Sequence, residues 1–77
     1  MMKTITKSER PQLSPRRLQV LVLLAKGLQA QEIAGVLGIS RQTARETVKA
    51  LYKNLGVRNA AEAVSEGYQL GLLKVIE

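Results

Sequence analysis

Apolar residues recur every three or four positions along most of the chain, and a glycine follows each such stretch, at Gly27, Gly38, Gly56 and Gly71. This is the spacing of helices that bury one face. No segment alternates apolar and polar residues as a half-buried strand does. The chain therefore reads as all-α, four short helices with a helix-turn-helix at the centre. Its 77 residues suffice for one compact domain and not for two. A domain this small buries only about 60% of the surface its unfolded chain exposes, so marginal stability is expected.

The helix ends can be read residue by residue. Residues 1–12, rich in Lys, Thr, Ser and Arg and interrupted by Pro11, read as a flexible basic arm ahead of a domain spanning 13–77. The Met-Met-Lys start reads as the beginning of a complete small protein. Ser14 caps the first helix and Pro15 takes its first position, where a missing N–H is harmless. That helix runs to about Lys26, with Val20, Leu21, Leu24 and Leu28 inward. Leu18 and Val22 lie one turn apart on another side, as extra core or as an exposed apolar pair. The second helix spans about Ala30 to Leu37, with Ile33, Ala34 and Leu37 inward. After Gly38-Ile39-Ser40, a third helix capped by Ser40 runs to Asn54 or Leu55. Asn59 caps the fourth, with Glu62 at the capping-box position, and it runs to about Leu70.

Composition excludes several kinds of chemistry. Cys and His are both absent, which removes disulfides, Cys/His metal sites, thiol nucleophiles and the usual general base. Neither paired carboxylates nor a phosphate-binding glycine loop is visible, so the chain is not expected to be an enzyme or to carry a cofactor or metal. Residues 1–12 lack the apolar run of a signal peptide. The longest unbroken apolar stretch, Val20 to Ala25, is too short to span a bilayer. The expected setting is the cytoplasm, with no membrane partner. Residues 1–58 hold eleven Lys and Arg against three Asp and Glu, a net of +8, whereas residues 59–77 have a net of −2. A basic body with a mildly acidic end fits a polyanion partner for one part and another task for the rest.

Two short helices joined by a glycine turn form the frame of a helix-turn-helix. Ala34 is small where the helices approach, Gly38 can take the positive φ of the turn, and Ile39 plugs the space between them. On the third helix, Ala44, Val48, Leu51 and Leu55 fall within about 60° of arc. Arg41, Arg45, Lys49 and Lys53 form a cationic row displaced from that seam, with Gln42 and Glu46 beside the row on the side away from the core. A buried seam and a basic, hydrogen-bonding outer face are what a helix in a DNA major groove needs. Arg45 and Lys49 can donate to guanine, Gln42 can pair with adenine and Glu46 can accept from cytosine. Arg41 and Lys53, nearer the helix ends, suit phosphates, as do Thr43 and Thr47 on the flank. A charged outer face alone describes a solvated helix equally well; the turn before it and the overall basicity favour DNA.

The ordered set Leu13-Ser14-Pro15-Arg16, Gln19-Val20-Leu21, Leu23-Leu24-Ala25, Lys26-Gly27-Leu28, Glu32-Ile33-Ala34, Leu37-Gly38-Ile39-Ser40, Thr43, Lys53, Leu55-Gly56-Val57-Arg58, Ala61-Glu62-Ala63-Val64 and Gly71-Leu72-Leu73 resembles the LuxR-type helix-turn-helix, also called the FixJ or GerE type. The resemblance covers about residues 13–73 without gaps. It implies a tetra-helical domain whose third helix enters the major groove of double-stranded DNA and whose fourth helix forms a homodimer contact. Ala61, Val64, Gly67 and Tyr68 are the candidates for that contact. Gln31 is a candidate phosphate contact, although the Lys common at this position in the family is missing.

The departures from the family pattern carry expectations of their own. Arg17 stands where the family usually has Glu, so the first helix loses a capping-box acceptor, unless Arg17 serves another purpose such as a phosphate contact. Gln29 replaces the usual cap Ser. Ala44 and Thr47 replace the common Val and His of the third helix, so base preference should not be copied from relatives. Leu18 and Val22 occupy positions more often polar and are candidates for a protein-partner surface. The expected function is a sequence-specific transcriptional regulator. Two alternatives remain: a module that binds and modulates another regulator, and a sigma-factor-type promoter reader.

Overall fold

The computed structural model describes residues 13–74; the expected basic arm, residues 1–12, and the last three residues lie outside the described residues. Four helices follow in order: α1 (Pro15–Ala25), α2 (Ala30–Leu37), α3 (Arg41–Leu55) and α4 (Ala60–Gln69). Among the described residues there is no strand.

Local chemistry sets the boundaries. Ser14 is extended, and its hydroxyl accepts from the Arg17 N–H at 3.2 Å. Ser40 does the same for α3, accepting from the Thr43 N–H at 3.0 Å. Gln29 makes no side-chain cap bond of its own; the Glu32 carboxylate instead accepts from the Gln29 N–H at 2.9 Å and ties the start of α2 from inside the helix. At α4 the Asn59 side chain accepts from the Glu62 N–H at 2.9 Å. The Glu62 carboxylate does not close the expected box on Asn59. It reaches one residue further back and accepts from the Arg58 N–H at 2.9 Å, bracing the incoming loop as well as the helix. The α2–α3 turn depends on Gly38, whose φ of 66° lies in the left-handed region that side chains disfavour.

The core is aliphatic and drawn from all four helices. Val20, Leu21, Ile33 and Leu51 are the largest fully buried side chains, each contributing about 1.5–3 kcal/mol by burial. Ala44, Leu55 and Ala63 fill the remaining space, and Leu73, beyond α4, closes it from below. Leu28, Leu37, Ile39 and Val48 are half-buried at its edge. α3 packs against each of the other three helices and so forms the axis of the domain.

Two expectations about apolar surface resolve differently. Val22 is half-buried and packs on the core, whereas Leu18 remains 36% exposed. Gly67, grouped on sequence with the α4 dimer surface, is buried inside its own chain. A Cβ there would lie 2.8 Å from Leu73 Cδ1 and 3.1 Å from Leu21 Cδ2. The missing side chain leaves room for Leu73 and Leu21 of the same chain to pack against α4.

Candidate nucleic-acid interface

The packing of α3 follows from its sequence. Ala44, Leu51 and Leu55 are buried and Val48 half-buried, which fixes the rotation of the helix about its axis. Arg41, Arg45, Lys49 and Lys53 are consequently all exposed, as are Gln42 and Glu46. Gln42 Nε2 donates to Glu46 Oε2 at 3.3 Å, one turn along the outer face. The two side chains expected to read bases are thus bonded to each other, with the Gln42 amide oxygen, its second N–H and the remaining carboxylate lone pairs left to face outward.

Thr43 and Thr47, the flank residues, are tied to the backbone. The Ser40 hydroxyl donates to Thr43 Oγ1 at 2.8 Å, and the Thr47 hydroxyl donates to the Thr43 carbonyl at 2.8 Å. Thr43 is exposed and its own hydroxyl proton is left to donate outward; Thr47 is half-buried and its proton is already used. Gln31 is exposed in the first turn of α2. On α4, Ala61 and Tyr68 are exposed, Val64 is half-buried and Gly67 is buried.

The fold also brings to α3 residues that the sequence reading did not place there. Arg16, Arg17 and Ser14, from the start of α1, line a shallow depression shared with Thr43, Glu46, Thr47 and Ala50. Arg17 Nη1 donates to Asn54 Oδ1 at 2.6 Å. Arg17 stood out on sequence as a missing cap partner, but nothing in the sequence pairs position 17 with position 54.

Neither a metal-binding cluster nor a helix long and apolar enough to cross a membrane occurs among the described residues. A tetra-helical domain with a glycine turn between α2 and α3, and a cationic α3 held outward by a buried seam, defines the helix-turn-helix domain of a DNA-binding regulator. The sequence matches the family described as bacterial regulatory proteins, luxR family, over residues 11–66, and the chain belongs to that family. It is 36% identical over 64 residues to the transcriptional regulatory protein YdfI of Bacillus subtilis (strain 168), covering 83% of this chain and 30% of that protein. It is 36% identical over 76 residues to the transcriptional activator protein EchR of Dickeya chrysanthemi, covering 97% of this chain and 30% of that protein. Among solved structures, the response regulator ChrA of a heme-sensing two-component system matches with a TM-score of 0.78 and 33% identity, over 83% of this chain and 32% of that one. The chain thus spans about a third of the length of the relatives it matches.

Proposed function

We propose that the chain is a sequence-specific regulator of transcription that binds duplex DNA in the cytoplasm with α3 in the major groove. The observation that carries this reading is the division of α3 into a buried seam and an exposed face bearing four cations beside the Gln42–Glu46 pair. In the proposed complex Arg45, Lys49, Gln42 and Glu46 face base edges, while Arg41, Thr43, Lys53 and Gln31 hold phosphates; Thr47 joins them only by turning its hydroxyl away from the Thr43 carbonyl. Two copies meet through Ala61, Val64 and Tyr68 on α4. That pairing presents two α3 helices to half-sites about 34–36 Å apart, one turn of the duplex.

The test is a titration of labelled duplex DNA from the chain's own genomic neighbourhood against scrambled DNA at several salt concentrations, with Arg45→Ala and Lys49→Ala alongside. A preferred fragment, a steep salt dependence and loss of preference in both variants are expected. Weak binding, equal on both DNAs and unchanged by the substitutions, sinks the role given to α3.

A second reading, a module that docks on another regulator, is favoured by one feature. Leu18, Val22, Val36 and Leu37 line a mostly apolar groove between α1 and α2, and Val36 is 61% exposed. It differs from the first reading in requiring that Val36→Asp abolish complex formation with that regulator while leaving DNA affinity intact.

A further inference from the structure

α3 carries its positive charge on one side only. Viewed along the axis, Arg41, Arg45, Lys49 and Lys53 occupy one side of the buried seam. Thr43, Thr47, Ala50 and Asn54 occupy the other, within about 60° of one another. A helix lying in a major groove has a phosphate backbone on each side of it, and both are anionic. The sequence of α3 supplies cations for one backbone and none for the other.

The fold supplies the second set. Packing of α1 on α3 carries Arg16 and Arg17 to the neutral flank, where they border the depression formed with Thr43, Glu46, Thr47 and Ala50. Arg16 is exposed and Arg17 half-buried. The 2.6 Å bond from Arg17 to Asn54 orients the guanidinium, and because Asn54 is neutral the positive charge is not cancelled. That bond uses one of the five N–H donors, and the fork geometry of the rest suits a phosphate. Thr43, also on the rim, has a free hydroxyl proton. Glu46, on the outer side of the depression, repels an anion and so favours a position close to the arginines.

We infer that Arg16 and Arg17 form a seat for a backbone phosphate on the Thr43–Asn54 side of α3, so that bound DNA is gripped from both sides of the groove. This rests on the reading of α3 as the helix that enters the groove. The contact is to the backbone, so it contributes affinity and register and carries no base preference.

Salt titrations of matched and scrambled duplexes with the whole chain test it, comparing Arg16→Gln, Arg17→Gln, Arg17→Glu, Asn54→Ala and Arg45→Ala. Arg17→Glu guards against misfolding, since a Glu three residues after Ser14 completes a capping box. Loss of one phosphate contact lowers the slope of log affinity against log salt by about 0.9, or roughly three- to fourfold in the affinity change between 50 and 200 mM salt. That loss is expected for each arginine variant, equally on both duplexes and with the preference between them unchanged. Asn54→Ala, which removes the bond but neither cation, is expected to keep the slope. Unaltered slopes in the Arg16 and Arg17 variants, with Arg45→Ala still losing preference, overturn the inference and leave the α3 reading standing. A slope loss in Asn54→Ala equal to that in Arg17→Glu also overturns it, because Arg17 would then act only by holding α3. Absence of salt-dependent binding by the unsubstituted chain overturns both.

Discussion

Arg17 donates from Nη1 to Asn54 Oδ1 across 2.6 Å, joining the first turn of α1 to the last turn of α3 over 37 residues of sequence. The helix that lost a capping-box carboxylate at position 17 gained a tie to the domain's axis instead. Asn54→Ala removes this tie without touching the buried seam. A hydrogen bond at a partly solvated site contributes about 1 kcal/mol, and in a domain of this size that lowers the melting temperature by roughly 4–8 °C. A thermal melt followed by circular dichroism measures it; an unchanged midpoint would show that water replaces the bond at no cost.

Gly67→Ala sets two effects against each other. Alanine improves helix propensity by about 1 kcal/mol, but its Cβ would sit 2.8 Å from Leu73 Cδ1 and 3.1 Å from the fully buried Leu21. Overpacking of this kind costs about 1–3 kcal/mol, so a net loss of stability is expected. In a Leu73→Ala background the same substitution should turn neutral or stabilising, because the space it needs has been opened. Denaturant titrations of the four proteins form a double-mutant cycle that checks the coupling.

Glu46 is the one carboxylate on a face that carries four cations and Gln42. Glu46→Gln removes an anion from a surface proposed to lie among phosphates, so affinity for scrambled duplex should rise. Preference for the matched duplex should fall if Glu46 accepts from a cytosine. The ratio of the two affinities at fixed salt reads both effects, and an unchanged ratio would exclude Glu46 from base contact.

Tyr52 is half-buried against the core, and burial raises its phenol above the usual value of 10.0. The folded state therefore holds the proton more tightly than the unfolded chain does. The associated stability is fully present below the unfolded value and is lost as pH rises through the folded one. Tyr52→Phe should remove this part of the alkaline loss while leaving stability at neutral pH nearly unchanged. Subtracting the melting curves of the two proteins between pH 8 and 11 isolates it, because the other titrating groups are common to both.

Much of this molecule can be read along the chain. Caps at Ser14, Ser40 and Asn59, glycine at the turn after Leu37, and apolar spacing in α1 and α3 place all four helices to within a residue or so. Those are local effects, set by backbone geometry and by side chains that reach no further than one turn. The same spacing fixes which way Arg41, Arg45, Lys49 and Lys53 point, since a helix with a narrow apolar seam can bury only that side. Contacts between residues distant in sequence depend instead on how the helices pack. No pattern at position 17 points to Asn54, and none at Gly67 shows whether its missing side chain accommodates a second chain or Leu73 of its own. The charge on the second flank of α3 is likewise invisible in that helix, because it arrives on α1. Helix boundaries and the outward face of α3 were decided by local sequence; the partner of Arg17, the burial of Gly67 and the arginine-lined depression were decided by packing, which alone sets distances between elements far apart in the chain.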